Sequence, residues 1–234
     1  METIQKKYKY LFFDLDRTLY DFETNSTETL REIFEKYPLG KHFESFDEFH
    51  AIYRKHNDFL WNQYRSHIIT KQDISWQRFQ MTLEEKGIFN ELMAKNMGTD
   101  YIQHSPDKSR LFPCTHEVLA YLQHKYKLFL ITNGFKEVQY RKIENCQLRP
   151  YFEQVFTSEE IGFNKPEKEY FEIVLQKTGA SVADSVVIGD DLEVDIKGAN
   201  TIGLDTVWFN TVNKTANRPV TYEINHLCKL KDIF

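Results

Sequence analysis

An α/β fold is predicted for this 234-residue chain: a parallel sheet with helices on both faces, interrupted early by an all-helical insert. Three observations predict it. Short apolar runs without helical period recur at Tyr10–Phe13, Leu128–Ile131, Val155–Thr157, Val186–Ile188 and Thr206–Phe209, and such runs read as buried strands. Helical segments alternate with them, at Glu117–His124, Lys136–Cys146, Glu167–Lys177 and Val194–Asn200. That alternation implies parallel strands joined by helical crossovers. Finally, about 115 residues separate Thr18 from Asn133, far more than one crossover needs, whereas the roughly 33 between Thr132 and Lys165 suffice for one helix and one strand.

The extra length therefore lies after the first strand. There Ser45-Phe46-Asp47-Glu48 reads as a capping box, opening a segment with Phe46, Phe49, Ile52, Tyr53, Leu60, Trp61, Tyr64 and Ile68 mostly at helical spacing. A second helix, Ile74 to Lys86, is stopped by Gly87, and a third runs from Asn90 to Tyr101. The chain returns through Ser105-Pro106, and Leu111-Phe112-Pro113 leads into the helix at Glu117. The expected division is a core of residues 1–20 and 107–234 with a helical insert over 21–106.

Composition sets bounds. The net charge is −5 and the basic residues are dispersed, which disfavours a nucleic-acid duplex as partner. Cys114, Cys146 and Cys228 are scattered without a CxxC pair, which argues against a disulfide framework or a zinc site. The eight histidines show neither paired metal spacing nor a nucleophile partner. Residues 1–7 hold no apolar signal core and no stretch approaches the ~18 apolar residues of a membrane span, so a soluble, cytoplasmic chain is expected.

Chemistry gathers where strands end. The first strand runs into Asp14-Leu15-Asp16-Arg17-Thr18, the second into Thr132-Asn133-Gly134, and the Val186–Ile188 strand into Gly189-Asp190-Asp191 with Asp195 beyond. Asn164-Lys165-Pro166 precedes a helix, and proline at a first helical position would put Lys165 at its N-terminus. Ligands of open α/β sheets bind outside the carboxyl ends of the strands. Alternate strand residues share a face, so Asp14 and Asp16 would repel unless a cation or proton is shared. A Thr-Asn-Gly turn can offer a hydroxyl and backbone N–H groups to an anion, and clustered carboxylates suit a hard divalent cation. Taken singly, these are ordinary features: solvated loop acids, a turn, a surface lysine.

In this order the motifs closely resemble those of the haloacid dehalogenase-like hydrolase superfamily, over essentially the whole chain. Asp14 to Thr18 match its DxDx[TV] motif, Thr132 its second-strand Ser/Thr, Lys165 its helix-start lysine, and Gly189-Asp190 through Asp195 its acidic fourth motif. The resemblance implies a Rossmann-like core, with the insert as a helical cap. It implies Asp14 as a nucleophile forming an aspartyl-phosphate, and Asp16 as general acid and base. Thr132, Asn133 and Lys165 would bind the phosphoryl group; Mg²⁺ would lie on Asp14, the Asp16 backbone carbonyl and Asp190; Asp191 and Asp195 would orient Lys165 or metal-bound water.

Dehalogenases of this superfamily lack the second acid of the first motif, and its ATPases carry threonine there; Asp16 therefore implies a phosphatase, with a phosphomutase as competitor. Arg17-Thr18-Leu19-Tyr20-Asp21, Ile131-Thr132-Asn133-Gly134-Phe135 and Glu159-Glu160-Ile161-Gly162 further resemble a bacterial branch of 5′-nucleotidases acting on pyrimidine or noncanonical nucleoside monophosphates. The expected partner is thus a small phosphate ester. A sugar-phosphate or phosphoglycolate phosphatase, and a non-catalytic phospho-ligand sensor, stay open as alternatives. Phe59, Trp61, Tyr64, Trp76 and Phe79 could stack on a base, but Trp61, Tyr64 and Ile68, and Trp76, Phe79 and Leu83, fall at three- and four-residue spacing, which helix packing explains.

Overall fold

The computed structural model describes residues 8–234, so the N-terminal stretch read above as lacking a signal core lies outside it. The chain forms two compact units: residues up to Phe22 together with Arg110–Phe234, and Glu23–Ser109.

The first unit is built on a parallel sheet of β1 (Tyr10–Phe13), β2 (Lys127–Thr132), β3 (Gln154–Thr157), β4 (Ser185–Gly189), β5 (Asp205–Phe209) and β6 (Tyr222–Ile224), in the order β3-β2-β1-β4-β5-β6. Alternate residues of each strand face opposite sides, and both sides are dry. Leu11, Phe13, Leu128, Leu130, Val186 and Ile188 join one core cluster; Phe12, Phe129, Ile131, Phe156 and Val187 join the other. Burial on both faces explains why these strands read as unbroken apolar runs rather than as alternating ones.

In the second unit, α1 (Phe22–Lys36, entering from the first unit) is followed by α2 (Phe46–Arg65), α3 (Lys71–Glu84) and α4 (Glu91–His104). The Ser45 hydroxyl accepts from Glu48 N at 3.1 Å, but the Glu48 carboxylate takes the N–H of Glu44 at 2.8 Å, one residue earlier than a capping box requires. Asn90 Oδ1 accepts from Met93 N at 3.0 Å and so caps α4. Phe49, Tyr53, Phe79, Leu83, Met97 and Tyr101 fill the interior. Packing thus accounts for Phe79, whereas Phe59 and Ile68 are exposed and Trp61 stands edge-on to Tyr64.

The core helices are α5 (Thr115–Leu122), α6 (Lys136–Asn145), α7 (Ser158–Ile161), α8 (Lys168–Thr178), α9 (Lys197–Thr201) and α10 (Leu230–Ile233). Val118, Leu119, Leu122 and Ile143 cover one face of the sheet; Tyr170, Phe171, Val174 and Ala199 cover the other.

Several expectations are corrected. Helix α8 starts at Lys168, not at Pro166; Glu167 N donates to Asn164 O at 2.8 Å, closing a turn that carries Lys165 and a cis Lys165–Pro166 peptide ahead of the helix. The segment expected as one helix at Val194–Asn200 is a π-turn at Leu192–Ile196 running into α9. Cys114 and Cys228, read as outside any disulfide framework, are bonded with Cα atoms 5.6 Å apart. They lie 114 residues apart, and spacing along the chain cannot reveal a pairing made by the fold. Cys146 is free and buried. Among the described residues no helix is long and apolar enough to cross a membrane.

Candidate active site

Strand β1 pairs with β2 on one side and β4 on the other, so the residues following Phe13, Ile131 and Ile188 emerge together at one edge of the sheet. Asp14, Thr132 and Asp190 are those residues or their immediate neighbours. Asp14 N donates to Ile188 O at 2.9 Å, which continues the ladder as far as Asp14. Past it the chain folds tightly: Leu19 N and Tyr20 N both donate to Leu15 O at 2.9 Å. The turn holds Arg17 in the left-handed region, φ 68°, and returns the Thr18 hydroxyl to Asp14 Oδ2 at 3.0 Å. The same hydroxyl lies 3.5 Å from Asp190 Oδ1. The Arg17 guanidinium rests over the Phe22 ring, 4.5 Å from its centroid.

Lys165 is the hub. Its buried ammonium donates to Asp14 Oδ1 at 2.7 Å, to Asp195 Oδ1 at 2.7 Å and to Ile131 O at 3.1 Å. Its backbone is gripped on both sides by one carboxamide: Lys165 N donates to Asn133 Oδ1, and Asn133 Nδ2 donates to Lys165 O, each at 2.8 Å. The Asn133 side chain, read from sequence as phosphate-binding, is therefore committed to placing Lys165. Asp195 Oδ2 accepts from Asp191 N at 3.2 Å, and a Cβ on Gly189 would fall 2.4 Å from that oxygen, so glycine alone fits there. Asp191 turns its Oδ1 to the N–H groups of Glu193 and Val194, capping the turn into α9. The hydroxyl of Thr132 accepts from Gly134 N at 3.0 Å, and Thr132 N donates to the buried Tyr170 hydroxyl at 3.1 Å.

Asp16 points elsewhere. Its Oδ1 accepts from Lys142 Nζ at 2.6 Å and its Oδ2 from Gln139 Nε2 at 2.8 Å. Both donors are buried on α6. Gln139 lies so close to Gly134 that a Cβ there would come within 1.7 Å of the amide nitrogen. The sequence reading missed Gln139 and Lys142. Their signal is present, however: they interrupt the Val138/Ile143 stripe of α6 with two polar side chains on its buried face.

Charge is unbalanced at this site. Oxygens of Asp14, Asp190 and Asp195 lie within 4.8 Å of one another; Lys165 pairs with Asp14 and Asp195, and the charge of Arg17 acts on Asp190. Burial pushes Asp14 up to about 7, against the pull of Lys165. Burial, and then the charges of Asp14 and Asp195, push Asp190 well above the usual carboxylate range, and burial raises Asp195 as well. Burial opposes the charge on Lys165, but Asp14 and Asp195 more than offset it and hold the ammonium protonated. An all-oxygen cluster carrying excess negative charge suits a hard divalent cation.

Comparison with known proteins agrees with this arrangement. Residues 11–209 match the family model described as haloacid dehalogenase-like hydrolase. The HAD-hydrolase YfnB of Bacillus subtilis (strain 168) is 32% identical over 231 residues, covering 97% of this chain and 96% of that one. Its magnesium-bound crystal structure superposes with a TM-score of 0.89 at 31% identity, covering 97% and 99% of the two chains. The pyrimidine 5′-nucleotidase PynA of Streptococcus pneumoniae (strain ATCC BAA-255 / R6) is 30% identical over 93% of this chain and 91% of its own. YjjG of Escherichia coli (strain K12), also named a pyrimidine 5′-nucleotidase, is 29% identical over 97% and 98%. The chain belongs to the haloacid dehalogenase-like hydrolase family.

Proposed function

We propose that this protein is a Mg²⁺-dependent phosphomonoesterase acting on nucleoside 5′-monophosphates, with pyrimidine or noncanonical bases as the preferred class. The observation that carries the chemistry is the buried contact of Asp14 with Lys165 at the carboxyl end of the sheet. Likeness to two pyrimidine 5′-nucleotidases along nearly the full chain supports the substrate class.

Asp14 attacks phosphorus; an Oδ–P bond forms as the bond from phosphorus to the leaving oxygen breaks. The electron pair stays on that oxygen, which takes a proton from the Asp16 carboxyl. Water then attacks the aspartyl-phosphate, giving its proton to the Asp16 carboxylate and restoring Asp14. Lys165 and the Thr132 hydroxyl, with the backbone of Asn133, hold the equatorial oxygens. Asp195 keeps Lys165 charged and placed. Asp14 and Asp190, with the Asp16 carbonyl, would hold Mg²⁺; oxygens of Asp14, Asp190 and Asp195 lie within 4.8 Å of one another. When bound, Mg²⁺ neutralises the carboxylates and lets an anionic nucleophile meet an anionic ester.

Phosphate release from a panel of nucleoside monophosphates, sugar phosphates and phosphoglycolate, with Mg²⁺ or with EDTA, tests this. Turnover of UMP or dUMP that requires Mg²⁺ is expected. Preference for sugar phosphates keeps the chemistry and overturns the substrate class.

A further inference from the structure

We infer that Cys114, His226 and Cys228 form a second cation site, which holds a thiophilic metal of the zinc type once the two sulfurs are reduced. The inference is independent of the phosphomonoesterase reading. Ligand atoms of the three residues lie within 4.8 Å of one another, in a group separate from Asp14, Asp190 and Asp195. Tetrahedral zinc, with Zn–S about 2.3 Å and Zn–N about 2.0–2.1 Å, sets its ligand atoms about 3.5–3.8 Å apart. The Cα atoms of Cys114 and Cys228 are 5.6 Å apart, so side-chain rotation is enough to part the sulfurs to that spacing. The distance along the chain hides the site, since the two cysteines are 114 residues apart.

Both sides of the site stand on packed residues. Thr115, next to Cys114, is buried, and its hydroxyl donates to Phe112 O at 2.7 Å. Leu227, between the other two ligands, is buried, as is Leu230. His226 is exposed and the cysteines are half-buried, so an ion reaches them from solvent. A disulfide accounts for the two sulfurs but not for the imidazole. His226 Nδ1 accepts from Cys228 N at 3.3 Å, a capping task for which serine, aspartate and asparagine are the preferred residues. The same contact turns a ring nitrogen towards the cysteines. Glu117 Oε2 lies 4.0 Å from Cys228 Sγ, near enough for a carboxylate oxygen to take the fourth position, while Lys231 Nζ donates to Glu117 Oε1 at 2.6 Å. Two thiolates and an imidazole select zinc over the magnesium that suits the all-oxygen cluster at Asp14.

Metal entry follows reduction. A dithiol reductant delivers two electrons and two protons, breaking the Cys114–Cys228 bond and closing its own disulfide. Binding then releases both thiol protons to solvent. The test titrates Co²⁺ and then Zn²⁺ into the full-length protein. A phosphine supplies the electrons here, because it competes poorly for metal; water supplies the protons and leaves phosphine oxide. The reduced protein should take up one Co²⁺ with thiolate-to-cobalt charge-transfer absorption, and one Zn²⁺ should displace it. Oxidised protein, which keeps the free Cys146 and the carboxylate cluster, should show no such absorption. Cys114→Ser and Cys228→Ser should each weaken Co²⁺ binding by at least about 100-fold, and His226→Ala by at least about 10-fold, the range that even outer partners of a metal reach. Should reduction alone unfold the chain, Zn²⁺ should restore the circular dichroism of the oxidised protein, because a structural zinc site contributes folding energy. Absence of thiolate absorption in the reduced protein, equal absorption in the oxidised protein, or binding indifferent to His226→Ala overturns the inference. So does a reduced, unfolded chain that Zn²⁺ fails to refold.

Discussion

Lys165 shows how little of a site's precision comes from the reacting atoms. Two hydrogen bonds from Asn133 fix its backbone, and two carboxylates fix its ammonium. Asn133→Ala removes both backbone clamps while leaving Asp14 and Lys165 in place. The expected result is a loss of turnover of about 10- to 100-fold with a stability loss of about 1–3 kcal/mol, read from kcat and from urea unfolding. A second prediction concerns pH. Asp14 titrates near 7 in the folded protein against an ordinary value of 3.8, because burial disfavours its charge. A carboxylate raised in this way favours the folded state below about pH 4 and loses that contribution as pH climbs through about 7. Mg²⁺ competes with the proton for the same cluster, so its stabilising effect should be larger at pH 8 than at pH 5. Melting temperatures with Mg²⁺ and with EDTA at the two pH values check this, and equal shifts at both would contradict it. That Asp14, Lys165, Asp190 and Asp195 gather at one end of the sheet follows from their standing at a strand end or turn in a spaced motif. The contacts of Gln139 and Lys142 with Asp16 could not be read in the same way, because a helix face brings them there across more than a hundred residues.

At the scale of elements, legibility followed burial chemistry. The central strands were plain because both of their faces are apolar. Helix α1 went unread: Leu30, Ile33, Phe34 and Tyr37 do stand at helical spacing, but its first turns bury Asn25, Ser26 and Thr29 rather than apolar residues. Strand β6, with three residues and only Ile224 buried, offers no period at all. Lys165 was placed at a helix start through its proline, whereas the Asn164–Glu167 turn delays the helix to Lys168. Caps were read in part: Ser45 caps α2 without the reciprocal bond, and the capping box of Thr70 and Asp73 ahead of α3 went unread. Asn90→Ala, which deletes the acceptor of Met93 N, should cost about 1 kcal/mol in chemical denaturation and leave turnover intact.

On the scale of the whole molecule, the long gap after the first motif coincides with the compact unit Glu23–Ser109, whereas the cross-link left no trace in the spacing of the chain. The Cys114–Cys228 disulfide ties the residue preceding α5 to the short turn preceding α10, closing most of the core's chain length. Cys114→Ser with Cys228→Ser, or simple reduction, should lower stability by about 2–4 kcal/mol. Neither residue belongs to the site built around Asp14. The proposed chemistry is placed at that site, and it is tested most directly by replacing one atom group in it. Phosphate release from UMP with Mg²⁺ should be catalysed by the wild-type protein and fall by at least about 10³-fold in Asp14→Asn. Turnover by Asp14→Asn within tenfold of wild type would contradict the account, because the phosphoryl group would then have no need of that carboxylate.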